Sequence, residues 1–171
     1  FADKKMALEN VFVTVGTTKF DKLISTVTNA NILKVLKKRG CKKLLLQVGN
    51  GQLLFNGTKE GIQITSFQLK PSIDEDIKNA DLIISHAGAG SCLAALGAKK
   101  PLIVVINEDL MGNHQKELAD KLKTENYVES CIPKTLQQIL QNLNVQNLKH
   151  FPKGNPTRYA AFIDNIMGFE R

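Results

Sequence analysis

Three places in this sequence carry glycine at the end of a short apolar run: Gly16-Thr17-Thr18, Gly49-Asn50-Gly51 and His86-Ala87-Gly88-Ala89-Gly90-Ser91. Glycine lets a ligand approach the backbone closely, and a helix that starts just beyond it presents free N–H groups to an anion. The chemistry suited to that pattern is phosphate binding. Each glycine alone is explained by turn geometry. Together, with hydroxyl side chains beside them, they suggest one shared crevice, with its anion site at Gly88, Ala89, Gly90 and Ser91. A second polar group, Asn113-His114-Gln115, lines up amide, imidazole and amide, which suit sugar hydroxyls. For Asn113 the alternative is a helix N-cap. His86 follows an apolar run and faces the presumed crevice, so it is the candidate general base, with a structural histidine as the alternative. Cys92 beside the glycines reads as a reduced thiol, with a reacting group as the lesser alternative.

Two familiar phosphate motifs are excluded. A dinucleotide fingerprint needs Gly-x-Gly-x-x-Gly after the first strand, and Gly16 is followed by Thr17, Thr18, Lys19 and Phe20. A P-loop needs Gly-Lys-Ser/Thr, which does not occur.

These residues must be positioned by the elements around them. Val11–Val15, Lys43–Val48, Leu82–Ser85 and Leu102–Ile106 are short apolar runs of buried-strand type, and Ile62–Phe67 alternates. Residues 52–61 read as a loop or weak strand. Helical spacing appears from Phe20 to Gly40, broken at Asn29 and Asn31, and again over Ser91–Ala98, Asn113–Lys123 and Thr135–Leu143. Ser72-Ile73-Asp74-Glu75 has the form of a capping box opening a short helix to Ala80, with His86–Gly90 as a turn further on. A last helix is expected from Pro156, its apolar face Tyr159, Phe162, Ile163, Ile166 and Met167. Strands alternating with helices predict an α/β fold: a Rossmann-like parallel sheet with helices on both faces. Ligands of such sheets bind outside the carboxyl ends of the strands.

The chain has 171 residues, 43% of them hydrophobic and 23% charged, which suits one soluble domain. No apolar run reaches the roughly 18 residues of a membrane span. Three cysteines without metal-ligand spacing argue for reduced thiols, a cytoplasmic setting and no metal site. The net charge is +7, but two Tyr and no Trp leave few stacking platforms, so no nucleic-acid partner is expected. A basic face turned to solvent, an acidic partner or a membrane surface remains open.

Val11–Thr18, Leu46–Gly51, Asp81–Leu93, Pro101–Glu108 and Asn113–Ala119, in that order, resemble the family of small catalytic subunits of the UDP-N-acetylglucosamine transferase that makes lipid-linked chitobiose. That family is similar to the C-terminal half of the bacterial enzyme adding N-acetylglucosamine to the peptidoglycan lipid precursor, an inverting, metal-independent GT-B glycosyltransferase. The resemblance implies transfer of N-acetylglucosamine from UDP-N-acetylglucosamine to N-acetylglucosaminyl-diphosphodolichol, early in N-glycan precursor synthesis. It implies a membrane-anchored partner subunit that binds the acceptor, activity only with that partner, recruitment to the cytosolic face of the endoplasmic reticulum, and no cofactor. Gly16, Thr17 and Thr18 would line the cleft, and Gly88, Ala89, Gly90 and Ser91 would offer N–H groups to the diphosphate. His114 and Gln115, flanked by Asn113, would contact the donor sugar. The base is His86 or a group on the partner.

One position departs from the pattern: Ala94 stands where the family carries a glutamate that resembles a ribose ligand, and Glu108 or another acid would have to replace it. A non-catalytic, nucleotide-sugar-binding regulatory relative is therefore the alternative. Residues 1–10 are set aside as an N-terminal extension or cloning remnant, 11–155 as the nucleotide-sugar-binding domain, and 156–171 as a helix for packing or partner docking.

Overall fold

The computed structural model describes residues 6–110, 114–152 and 161. The expected C-terminal helix, and with it the docking role given to 156–171, lies outside the described residues, as does Asn113.

Alternation along the strands decides the layers. Val11 and Val13 of β1 (Asn10–Thr14) face one side with Leu44 and Leu46 of β2 (Lys43–Gln47), while Phe12 faces the other. A second pair of neighbours repeats this: Leu82 and Ile84 of β5 (Leu82–His86) share the first side, with Ile103 and Val105 of β6 (Leu102–Val105). Because both faces of these strands are apolar, both must be covered. The first side is covered by α1 (Asp21–Val27), α2 (Ala30–Lys38) and α6 (Leu136–Asn142). The second is covered by α3 (Asp74–Asn79), α4 (Ala89–Gly97) and α5 (His114–Thr124).

With β3 (Gly57–Lys59), β4 (Ile62–Phe67) and β7 (Glu129–Cys131), the sheet has seven strands among the described residues, in the order β3-β4-β2-β1-β5-β6-β7. All neighbours are parallel except β3, which pairs antiparallel with β4 as a hairpin on the sheet edge. The α/β expectation of a Rossmann-like sheet with helices on both faces holds, and the sheet is mixed rather than wholly parallel. The weak strand within 52–61 is β3, while β7 carries no apolar pattern that predicts it. Among the described residues no helix is long and apolar enough to cross a membrane.

Three boundaries differ from expectation, each for a local reason. The break at Asn29 is a cap: its side chain accepts from the Ile32 N–H at 2.9 Å and starts α2 as a separate helix. The capping box at Ser72 does not form. Ser72 Oγ accepts from the Asp74 N–H at 3.2 Å, the helix cap is Ile73, and Glu75 makes no reciprocal bond. His86 is the last residue of β5, paired with Val105, rather than the first of a turn, and α4 starts at Ala89, not Ser91.

Three helices end in one hydrogen-bonded motif. After α2, Gly40 (φ 90°) donates to the Lys37 carbonyl and Cys41 to that of Leu36. After α5, Asn126 (φ 61°) and Tyr127 do the same with Lys123 and Leu122. After α4 the left-handed position is held by Lys99 (φ 57°), with Lys99 bonded to Leu96 and Lys100 to Ala95. Glycine and asparagine tolerate that conformation, whereas lysine takes it against its Cβ. Lys99→Gly is therefore expected to stabilise the domain by about 0.5–1 kcal/mol and raise Tm by about 2 °C, measured by urea and thermal unfolding.

Candidate functional site

Connections from β1 and from β5 leave the sheet on opposite faces, through α1 on one side and α4 on the other. The two strands are neighbours, Thr14 level with Ser85, so a crevice opens between their carboxyl ends. Gly16, Thr17, His86, Gly88, Gly90 and Ser91 line it on one side. Lys70, Pro71, Ser72, Ile73 and Asp74, from the loop between β4 and α3, line the other. Gln47 is also part of the lining, and the cleft encloses about 610 Å³.

Beneath the glycines lies His86, 7% exposed. Its ring fills the gap between the two loops. A Cβ on Gly16, whose φ is +61°, would stand 2.8 Å from His86 Nε2, and one on Gly88 would collide with the ring. Ser91 Oγ is 3.5 Å from the same Nε2. At Gly90 the fold makes no such demand, since a Cβ there meets nothing within 4 Å. That glycine leaves the first turn of α4 open to the cleft. No side chain caps α4, so its first N–H groups carry the positive end of a nine-residue helix.

The loop after β1 is held from behind. Thr14 Oγ1 donates to Gln47 Oε1 at 2.6 Å and accepts from the Gly16 N–H at 2.9 Å. Thr18, though exposed, ties back to the loop: its Oγ1 donates to the Val15 carbonyl at 2.8 Å, and its own carbonyl accepts from the Asn50 N–H. Gly49-Asn50-Gly51 therefore buttresses the first glycine loop and is absent from the described lining. The expectation that all three glycine segments meet in one crevice is corrected to two. Thr18 and Ala89 adjoin the cleft without being among its described lining. His114 and Gln115 open α5, beyond β6, and likewise are not among that lining. His114 Nδ1 lies 3.9 Å from Glu117.

Burial lowers the His86 pKa to about 4, so the imidazole is neutral at neutral pH and a weak base. The thiols of Cys41, Cys92 and Cys131 are pushed up to about 12 by burial, which keeps Cys92 protonated beneath α4. Among the described residues no group of three or more His, Cys, Asp or Glu is placed to hold a metal ion. Ala94 sits exposed on α4 and carries no acceptor. The wall formed by Lys70 to Asp74 was missed in the sequence; its only signal is that the β4 carboxyl end must emerge beside that of β2.

The profile of the glycosyltransferase family 28 C-terminal domain matches residues 10–166. The UDP-N-acetylglucosamine transferase subunit ALG13 of Homo sapiens is 47% identical over 74% of this chain, which spans only 11% of that protein's length. The subunit of the same name from Saccharomyces cerevisiae is 31% identical, over 91% of this chain and 95% of its own. An ALG13 solution structure superposes with a TM-score of 0.69 at 27% identity, covering 94% of this chain and 98% of that one. MurG of Acinetobacter baumannii superposes with a TM-score of 0.65 at 20% identity, over 98% of this chain and 51% of its own, which makes this fold that of a GT-B C-terminal half.

The neutral imidazole makes stability pH-dependent. The folded pKa of about 4 lies below the unfolded value near 6.5, so the unfolded chain binds the extra proton first as pH falls. Native stability is expected to be full above pH 6.5 and to drop by up to about 3 kcal/mol between pH 6.5 and 4. Urea unfolding across that range checks it, and His86→Gln should flatten this component of the profile. Gly16→Ala, strained at φ +61° and pressed on the ring, is expected to cost about 1–3 kcal/mol in the same assay.

Proposed function

The chain belongs to the family defined by the glycosyltransferase family 28 C-terminal domain, with the ALG13 transferase subunits among its relatives, and on that premise we propose that it is the UDP-N-acetylglucosamine-binding catalytic subunit of a two-part, inverting N-acetylglucosaminyltransferase. The acceptor is N-acetylglucosaminyl-diphosphodolichol, and a membrane-anchored partner supplies the acceptor-binding half at the cytosolic face of the endoplasmic reticulum. One observation carries this reading: a cleft at the β1–β5 switch point into which α4 opens uncapped through Gly88, Gly90 and Ser91. The coverage of about half of a two-domain neighbour supports the division of labour.

In this reading the diphosphate lies against the α4 N-terminus. As the bond from the sugar to UDP breaks, negative charge grows on the β-phosphate, and fixed N–H groups meet it where it develops. His86 holds the two glycine loops at the right separation while adding no charge. A base with pKa near 4 is poorly matched to removing a hydroxyl proton at neutral pH, so the proton is taken by a group on the partner. His114 and Gln115 reach the donor sugar only if a bound donor extends beyond the described lining toward α5.

The alternative, a regulatory relative that binds the nucleotide sugar without catalysis, is favoured by the missing acceptor at Ala94 and the weak basicity of His86. Calorimetry with UDP-N-acetylglucosamine, UDP-glucose and UDP, without added metal, separates these readings from no binding at all. Saturable binding that prefers the N-acetyl sugar is the expected result. Turnover on reconstitution with the acceptor-binding subunit then marks the catalyst, and binding without turnover the regulator. Gly90→Val, whose Cβ meets nothing within 4 Å, is expected to leave Tm near its native value and weaken UDP binding about tenfold or more, the scale of one charge-assisted hydrogen bond.

A further inference from the structure

The cleft has two walls of opposite character. On one side are glycine backbone, the Ser91 hydroxyl and the neutral His86 ring, all suited to an anion. On the other are the β4–α3 loop and the first residue of α3, which supply the two charged residues of the described lining, Lys70 and Asp74. Lys70 is committed within the protein. Its Nζ lies 3.0 and 3.1 Å from the two oxygens of Asp76, and 4.2 Å from the centroid of the Phe67 ring. Asp74 is different. Its N–H donates to Ser72 Oγ, but its carboxylate makes no hydrogen bond or ion pair with any described residue.

An unpaired carboxylate lining the same cleft as an anion cradle opposes a bare anion. It helps only a ligand that carries hydroxyl donors a short way from its phosphates. A carboxylate accepts and never donates, and two adjacent hydroxyls match its two oxygens. We propose that Asp74 is a specificity-determining residue of the donor site, accepting hydrogen bonds from the ribose diol of the nucleotide while the diphosphate rests on the α4 wall. An acid in the first turn of α3 also suits the helix dipole, but Glu75 and Asp76 already occupy that turn. Neither Glu75 nor Asp76 is among the described lining of this cleft.

This inference rests on the donor-binding reading above, and calorimetry can fail the two separately. The probes are UDP and 2′-deoxy-UDP, titrated into the full chain and into Asp74→Ala and Asp74→Asn. The native protein is expected to prefer UDP by about 10-fold or more, the effect of one charge-assisted hydrogen bond. Both variants should bind UDP no better than the native protein binds 2′-deoxy-UDP, and should lose most of the preference between the two nucleotides, since UDP forfeits two hydrogen bonds and 2′-deoxy-UDP only the one from its 3′-hydroxyl. Asp74 is exposed, so native-like thermal unfolding of both variants is expected and serves as the control. Preference for UDP that survives in Asp74→Ala, equal loss for both nucleotides, or no preference in the native protein overturns the role of Asp74 alone. No binding of UDP by the native protein overturns the donor reading, and the inference with it.

Discussion

Everything at the functional end of this molecule follows from one topological constraint. β1 lies at the centre of the sheet, and the chain leaves it toward β2 over one face and arrives at β5 over the other. Two connections diverging from neighbouring strands cannot fill the space between them. The vacancy is then lined by whatever the sequence places just past those two strands. Here it places glycine twice and, between the glycines, one buried imidazole. A side chain at position 16 or 88 would need the volume that His86 occupies. The ring thus acts as a spacer, and its neutrality keeps an uncompensated charge out of a buried position. The same burial that makes it a good spacer makes it a poor base.

Legibility in the sequence followed the range of the signal. The four central strands announce themselves as apolar runs because they are buried on both sides, and β4 as an alternation because one of its faces is wet. The crossing helices are set by period and by Asn29 and Gly40 at their ends. β7 escaped because its three residues, Glu129, Ser130 and Cys131, belong to a short strand at the sheet edge with no periodicity to read. Ser72 misled because its hydroxyl accepts from the N–H of Asp74, only two residues on, and Ile73 takes the cap position instead. The α4 side of the cleft was legible since all its residues are contiguous. The opposite wall was not, because Lys70 and Asp74 reach the cleft only through the pairing of β4 with β2, and no stretch of sequence encodes that adjacency.

The chemistry this arrangement favours is binding with separated polarity. Positive potential is concentrated at the open end of one helix, supplied by backbone and therefore fixed. The balancing groups, a hydroxyl and a carboxylate, sit where the β4–α3 loop enters α3. In the donor-binding reading proposed above, a ligand with phosphate at one end and hydroxyl groups at the other would meet both walls. Nothing in that division requires this chain to hold an acceptor as well, which accords with relatives named as subunits rather than whole enzymes.

The β3–β4 hairpin carries a consequence of its own. β3 is three exposed residues paired on one side only, and no helix replaces it on the path from β2 to β4. In the language of native-state hydrogen exchange, β3 is a strand with little to lose on opening, one that can detach while β4, with Ile62 and Ile64 in the core, stays paired to β2. The loop that forms one wall of the cleft hangs from the far end of β4. The sheet edge and the cleft are thus joined through one strand, and if a nucleotide seated between the walls steadied that loop, the expected signature is slower amide exchange in a strand it never touches.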